Sequence, residues 1–127
     1  MLYKYKNDYE KIAMGLLSFI PDLKEISHLK SCFEWYRAED DRHLYLWKNE
    51  EGDFIAIAGV EADESSKIVM LRHISVIPAE RNHGVCFEVL DALKKMYPGY
   101  EMMGSLETAG LVSRWAGQNG DSDGNDR

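Results

Sequence analysis

Arg81, Asn82, His83 and Gly84 stand between an apolar run and an amphipathic stretch in "HISVIPAERNHGVCFEVLDALKK", residues 73–95. Two readings fit such a place. It is an ordinary turn, or it is a helix start built to hold an anion, since unpaired amides at a helix N-terminus point outward and attract negative charge. On the second reading the amides from Asn82 to Phe87, those of Val85 and Cys86 included, face a phosphate-like group. Gly84 lets the backbone approach it closely, and Arg81 or His83 adds charge at its edge. His73, at the head of the stretch, has the ordinary pKa that suits proton transfer near neutrality.

The rest of the composition narrows the classes. The 127 residues suit one domain, and the formal net charge of -7 argues against a nucleic-acid partner, which needs a basic face. Cys32 and Cys86 lie far apart, and His28, His43, His73 and His83 show no ligand spacing, so reduced thiols and no metal site are expected. The apolar run from Ile12 to Pro21 is too short to span a bilayer. Asp8 and Glu10 sit where a signal peptide carries positive charge, so a soluble, cytoplasmic protein without a membrane partner is expected.

The elements that must position these residues follow from periodicity. "MLYKYK" alternates as a strand. Asn7 or Asp8 caps a helix through about Phe19, with Ile12, Leu16 and Phe19 on one face, and Pro21 ends it. A second helix from Asp22 to about Arg37 places Leu23, Ile26, Leu29, Phe33 and Tyr36 at helical spacing. Arg42–Lys48, Phe54–Glu61 and Lys67–Val76 read as three antiparallel strands joined by short turns, the last of them central because it is apolar on both faces. A helix from about Gly84 to Met96 turns Phe87, Leu90 and Leu93 inward and stops at "YPG". "YEMMG" suits a fifth strand. Ser105 to Ala116 suits a last helix, with Ser105 as its cap and Leu106 or Ala109 facing inward. Residues 1–117 form one domain and 118–127 a disordered polar tail. The order gives an α/β fold: a mixed, mainly antiparallel sheet with helices on its faces.

Strand "RHISV", then "IPAE", then "RNHGVC" and an amphipathic helix resembles the cofactor-binding motif of the GNAT N-acyltransferases. Arg81, Gly84 and Val85 match the family loop, and Cys86 takes its last small position. The element order is similar to the GNAT order through its fourth helix. "EKIAMGLLSF", "LWK", "GVE", "RHISV" and "DALK" are further similar to short RibT-type members, which are linked to riboflavin operons. The resemblance implies bound acetyl-CoA. The backbone groups of Ile74 and Val76, with Ser75 between them, would bind the pantetheine arm like an added strand. The loop amides would take the diphosphate, and an amide near Ile74 would polarise the thioester carbonyl.

The resemblance also implies direct attack by an amine, of a small molecule or a protein, which calls for a base and an acid. Glu61 and His73 are the candidate bases. Each also has a structural reading: Glu61 as a solvated strand end, His73 as a sheet histidine bonded to a neighbour. Arg72 either holds an anionic substrate or pairs with a carboxylate. Trp35, Tyr36 and Trp47 line an acceptor pocket or belong to the core. The tyrosine that serves many relatives as general acid is replaced by Val112, which leaves Tyr100 or a water. The strand pair that closes the family's acceptor side is expected to be missing, and a second copy of the chain to cover the surface, giving a homodimer. A non-catalytic module that binds acetyl-CoA or CoA and reports it to a partner is the alternative to an enzyme.

Overall fold

A computed structural model describes residues 1–121 of the chain. Five strands form one sheet in sequence order: β1 (Leu2–Lys4), β2 (Arg42–Lys48), β3 (Phe54–Asp63), β4 (Ile68–Val76) and β5 (Glu101–Gly104). The first four pair antiparallel, and β5 joins β4 in parallel. Successive side chains of a strand point to opposite faces, so each face needs its own cover. Leu44, Leu46 and Ile57 pack under α1 (Glu10–Leu17) and α2 (Ile26–Ala38). Tyr45, Ala56, Ala58, Val60, Val69 and Leu71 pack under α3 (Val85–Met96) and α4 (Ala109–Asp121). Leu46, Ile57, Leu71, Leu90 and Leu93 are fully buried, each contributing about 1.5–3 kcal/mol of transfer free energy. No helix among the described residues is long and apolar enough to cross a membrane.

The α/β class and the element order are as the sequence implies, and the differences have local causes. α1 is entered through a 3-10 turn, Asn7–Tyr9, without a side-chain cap. That tighter turn shifts the phase of the helix. Ala13, Leu16 and Leu17 therefore face the sheet, while Ile12 and Phe19 are about two-fifths exposed. Pro21–Leu23 forms its own 3-10 turn, so α2 starts at Ile26, whose side chain is exposed. On α3 the buried set is Val85, Val89, Leu90 and Leu93, with Phe87 only half-buried. α4 begins at Ala109 rather than Ser105. Leu106 is 93% exposed and Ala109 is exposed, whereas Val112 and Trp115 face inward. Residues 118–121 of the expected polar tail continue this helix, and 122–127 lie outside the described residues.

Gly59 and Gly104 each set a close approach, and the first bears on the site. A Cβ on Gly59, in mid-β3, would overlap the phenol of Tyr36 on α2. Gly59→Ala is expected to lower stability by about 1–3 kcal/mol, the usual cost of overpacking a filled site. Chemical denaturation, monitored by fluorescence, checks it; a wild-type midpoint would show that α2 shifts freely.

Candidate active site

The strand that carries the site is irregular at one residue. His73 pairs with Gly59 and Leu71 with Val60, so Arg72 is the extra residue of a β-bulge. An extra residue reverses the alternation beyond it. Leu71 faces α3 and α4, while Arg72 and His73 both turn to the α1 and α2 side, and Ile74 and Val76 turn back.

The same strand loses its other neighbour at this point. β5 pairs with β4 only from Ile68 to Leu71. The Leu71 carbonyl then accepts the Ser105 N–H at 3.2 Å and the Thr108 hydroxyl at 2.6 Å. From Arg72 onward that edge of β4 has no strand partner among the described residues. The Ile77 N–H donates to the Ile55 carbonyl at 2.9 Å. Counting back by twos, Ser75 and His73 direct their backbone groups to β3, and Ile74 and Val76 direct theirs to the open edge. Ser75 spends its hydroxyl on the Leu16 carbonyl, at 2.7 Å, so neither its backbone nor its side chain is free for the edge.

The open edge floors a cleft of about 760 Å³. Phe19 to Leu23 form one wall and Glu107, Thr108 and Leu111 the other, with His73 on the floor and Arg81 and Cys86 at one end. A second cavity, about 410 Å³, shares Val76, Arg81 and Cys86 with it and runs to Asn82, Gly84, Val85 and Phe87. Here Asn82 and Gly84 are both left-handed, with φ of 69° and 79°. No side chain caps α3, so its first amides remain available. Arg81 donates from Nε to the Val76 carbonyl at 3.1 Å, which fixes its guanidinium where the two cavities meet. His83 instead lies 3.6 Å from Glu80 and lines a separate groove with Met1, Tyr3 and Trp47. The Cys86 thiol is pushed up by burial, against the pull of Arg81, and stays protonated.

The two candidate bases have different surroundings. Glu61 accepts from Arg72 Nε at 3.0 Å and Nη2 at 2.8 Å, and Arg42 Nε stands 3.8 Å away. Arg42 also lies over the Trp35 ring at 4.0 Å. Glu61 is thus occupied as the counter-ion of two arginines, and Arg72 pairs with a carboxylate. His73 is half-buried at the cleft floor, its Nδ1 hydrogen-bonded to the Tyr36 hydroxyl at 2.5 Å and its Nε2 3.8 Å from Cys32 Sγ. Burial pushes its pKa below the ordinary 6.5, Glu107 pulls it back up, and Arg72 pushes it further down. The ring is therefore neutral at neutral pH, as a proton acceptor must be.

The structure places the remaining candidates. Of the two places open to Trp35, Tyr36 and Trp47, the core is the one they take: Tyr36 is a core residue with Trp35 packed against the same cluster, Trp47 packs against the other, and none lines the cleft. Tyr100 precedes Glu101, which pairs with Ile68, roughly 20 Å along the strand from Ile74. That removes it as a proton donor at the cleft. Val112, at the tyrosine position, is buried. Asp22, Glu107 and Thr108 belong to the cleft without having been anticipated, because loop walls carry no periodic signal. Gly59 did carry a signal, since a lone glycine within a strand marks a close approach.

Comparison with known proteins agrees with this geometry. No family model matches the chain. A curated relative from Bacillus methanolicus, the uncharacterized N-acetyltransferase in the lysA 3' region, is 40% identical over 114 residues, 90% of this chain and 93% of the relative. The chain belongs to the GNAT N-acetyltransferase family. Solved structures share the fold of this acetyltransferase at low identity. The aminoglycoside acetyltransferase AAC(6')-Iy, in complex with a bisubstrate analogue, superposes with a TM-score of 0.69 at 18% identity, covering 94% of this chain and 87% of that one. Aminoglycoside 6'-N-acetyltransferase AAC(6')-Ih from Acinetobacter baumannii gives 0.64 at 16%, over 94% and 87%. A spermidine N-acetyltransferase chimera from Vibrio cholerae and hSSAT gives 0.66 at 11%, over 93% and 77%.

Proposed function

We propose that the chain binds acetyl-CoA in the paired cavities and transfers the acetyl group directly to an amine. The observation that carries this is the continuity of the open β4 edge with the uncapped start of α3. Ile74 offers its backbone N–H and carbonyl and Val76 its N–H for a pantetheine arm, the Val76 carbonyl being held by Arg81, and the amides from Asn82 to Phe87, with Arg81 beside them, suit a diphosphate. Acetyl-CoA supplies the activated acyl group. The Ile74 amide faces where its thioester carbonyl would lie, and His73 takes the proton that the attacking amine gives up. Asp22 and Glu107 line the acceptor end, where Arg72 is already paired with Glu61. That balance supports a cationic amine over a carboxylate-bearing one.

Kinship with RibT-type members, and with it a link to riboflavin metabolism, is part of the same proposal and rests on the quoted sequence stretches. The exposed Met103 on the edge strand β5, with the exposed Leu106 just after it, supports a homodimer. The buried Val112 in place of a tyrosine favours the alternative of a non-catalytic CoA-binding module. Calorimetric titration of acetyl-CoA, with a CoA-release assay over a panel of amines, separates the readings. Binding with release on at least one amine is expected. Binding without release on any amine leaves only the non-catalytic module, and no binding sinks both.

A further inference from the structure

The contact of Tyr36 with His73 rests on three separate features. The bulge at Arg72 turns the imidazole toward α2. Gly59 leaves the space that the Tyr36 phenol fills. Cys32 and Tyr36, one helical turn apart, meet the two nitrogens of the ring. Tyr36 itself is 4% exposed, and burial raises its pKa far out of the physiological range, so the phenol stays neutral. The thiol of Cys32, pushed up to about 11 by burial, likewise stays protonated. A neutral phenol can donate to Nδ1 or accept from it. Only the second arrangement leaves a lone pair on Nε2, the nitrogen met by nothing stronger than a thiol at 3.8 Å.

We infer that Tyr36 is a positioning residue that accepts the His73 Nδ1–H, fixing the ring so that Nε2 receives the proton of the acceptor amine. The role resembles that of a triad carboxylate, with a neutral group in its place. When Nε2 takes the proton, the Nδ1–H becomes part of a cation and its bond to the phenol oxygen strengthens. The other charged groups facing the ring are Arg72 on its own strand, which is neutralised by Glu61 on β3, Glu107 ahead of α4, and Asp22 on the opposite wall. None of them contacts a ring nitrogen, so Tyr36 at Nδ1 and the weaker Cys32 thiol at Nε2 are the ring's hydrogen-bonding partners.

The inference rests on the cleft being the transfer site, and its test does not depend on turnover. In the full chain labelled with 15N, imidazole shifts report tautomer and titration, and His73→Gln identifies the His73 signals. The expected result is a neutral ring protonated at Nδ1 in the wild type. In Tyr36→Phe, mixed tautomers and a His73 titration about one pH unit lower are expected. With an amine that releases CoA, Tyr36→Phe lowers kcat about tenfold and moves the acid limb of kcat/KM downward, while acetyl-CoA affinity is unchanged. A wild-type ring protonated at Nε2, or a tautomer and titration unaltered by Tyr36→Phe, overturns the inference. An acid limb that survives His73→Gln overturns the proton-transfer role and leaves the tautomer result standing.

Discussion

Replacing Gly84 with glutamate weakens acetyl-CoA binding at least about a hundredfold. The added carboxylate would stand among the amides proposed to hold the diphosphate. Two like charges about 5 Å apart, at an effective dielectric of about 20, repel by about 3 kcal/mol, which is about a hundredfold in affinity. A non-glycine residue at φ of 79° adds backbone strain of about 1–2 kcal/mol. That strain burdens free and bound protein alike and drops out of the affinity. Gly84→Ala separates the two effects. A Cβ at this position meets nothing within 4 Å, so alanine is expected to lower stability and leave affinity within about tenfold of wild type. Calorimetric titration of both variants with acetyl-CoA checks this. Wild-type affinity in Gly84→Glu would refute the placement of the diphosphate.

The cofactor half of the site was legible because it is local. A strand, a proline, a polar loop with one glycine and an amphipathic helix lie within 29 consecutive residues, Ile68 to Met96. β2 matches its predicted bounds for a similar reason: "RHLYLWK" is a short apolar run closed by charged residues, and turns flank it. Phase was harder to read. A 3-10 turn ahead of α1 rotated its buried face from Ile12 to Ala13, and the single extra residue at Arg72 moved His73 to the opposite face from Leu71. Neither has a signature in hydrophobic periodicity. The start of α4 was misplaced because Ser105 and Thr108 both have capping chemistry, and the tertiary contact of Thr108 with the Leu71 carbonyl decides between them. The partners of His73 were out of reach altogether, since Tyr36 and Cys32 lie 37 and 41 residues away in sequence.

The two candidate bases are expected to separate on mutation. His73→Gln lowers kcat about 10²–10⁴-fold, the range for losing a positioned general base, with acetyl-CoA affinity retained. In the wild type, kcat/KM falls only when the pH drops through the His73 pKa, which burial holds below the ordinary 6.5. The same depression has a stability consequence. Between the lowered value and 6.5 the unfolded chain binds a proton that the folded one does not, so stability falls as pH falls through that window. His73→Gln removes this contribution along with the acid limb of the rate. Glu61→Gln does the reverse. It leaves Arg72 and Arg42 without their shared counter-ion, beside a Trp35 ring they both overlie. Because these groups are partly exposed, the expected loss is only about 1–2 kcal/mol, with the acid limb in place. A pH–rate profile and a denaturation curve for each variant check the pair. An acid limb lost in Glu61→Gln and kept in His73→Gln would exchange their roles, placing proton transfer at the carboxylate that Arg72 holds and leaving the bulge at Arg72 to serve packing alone.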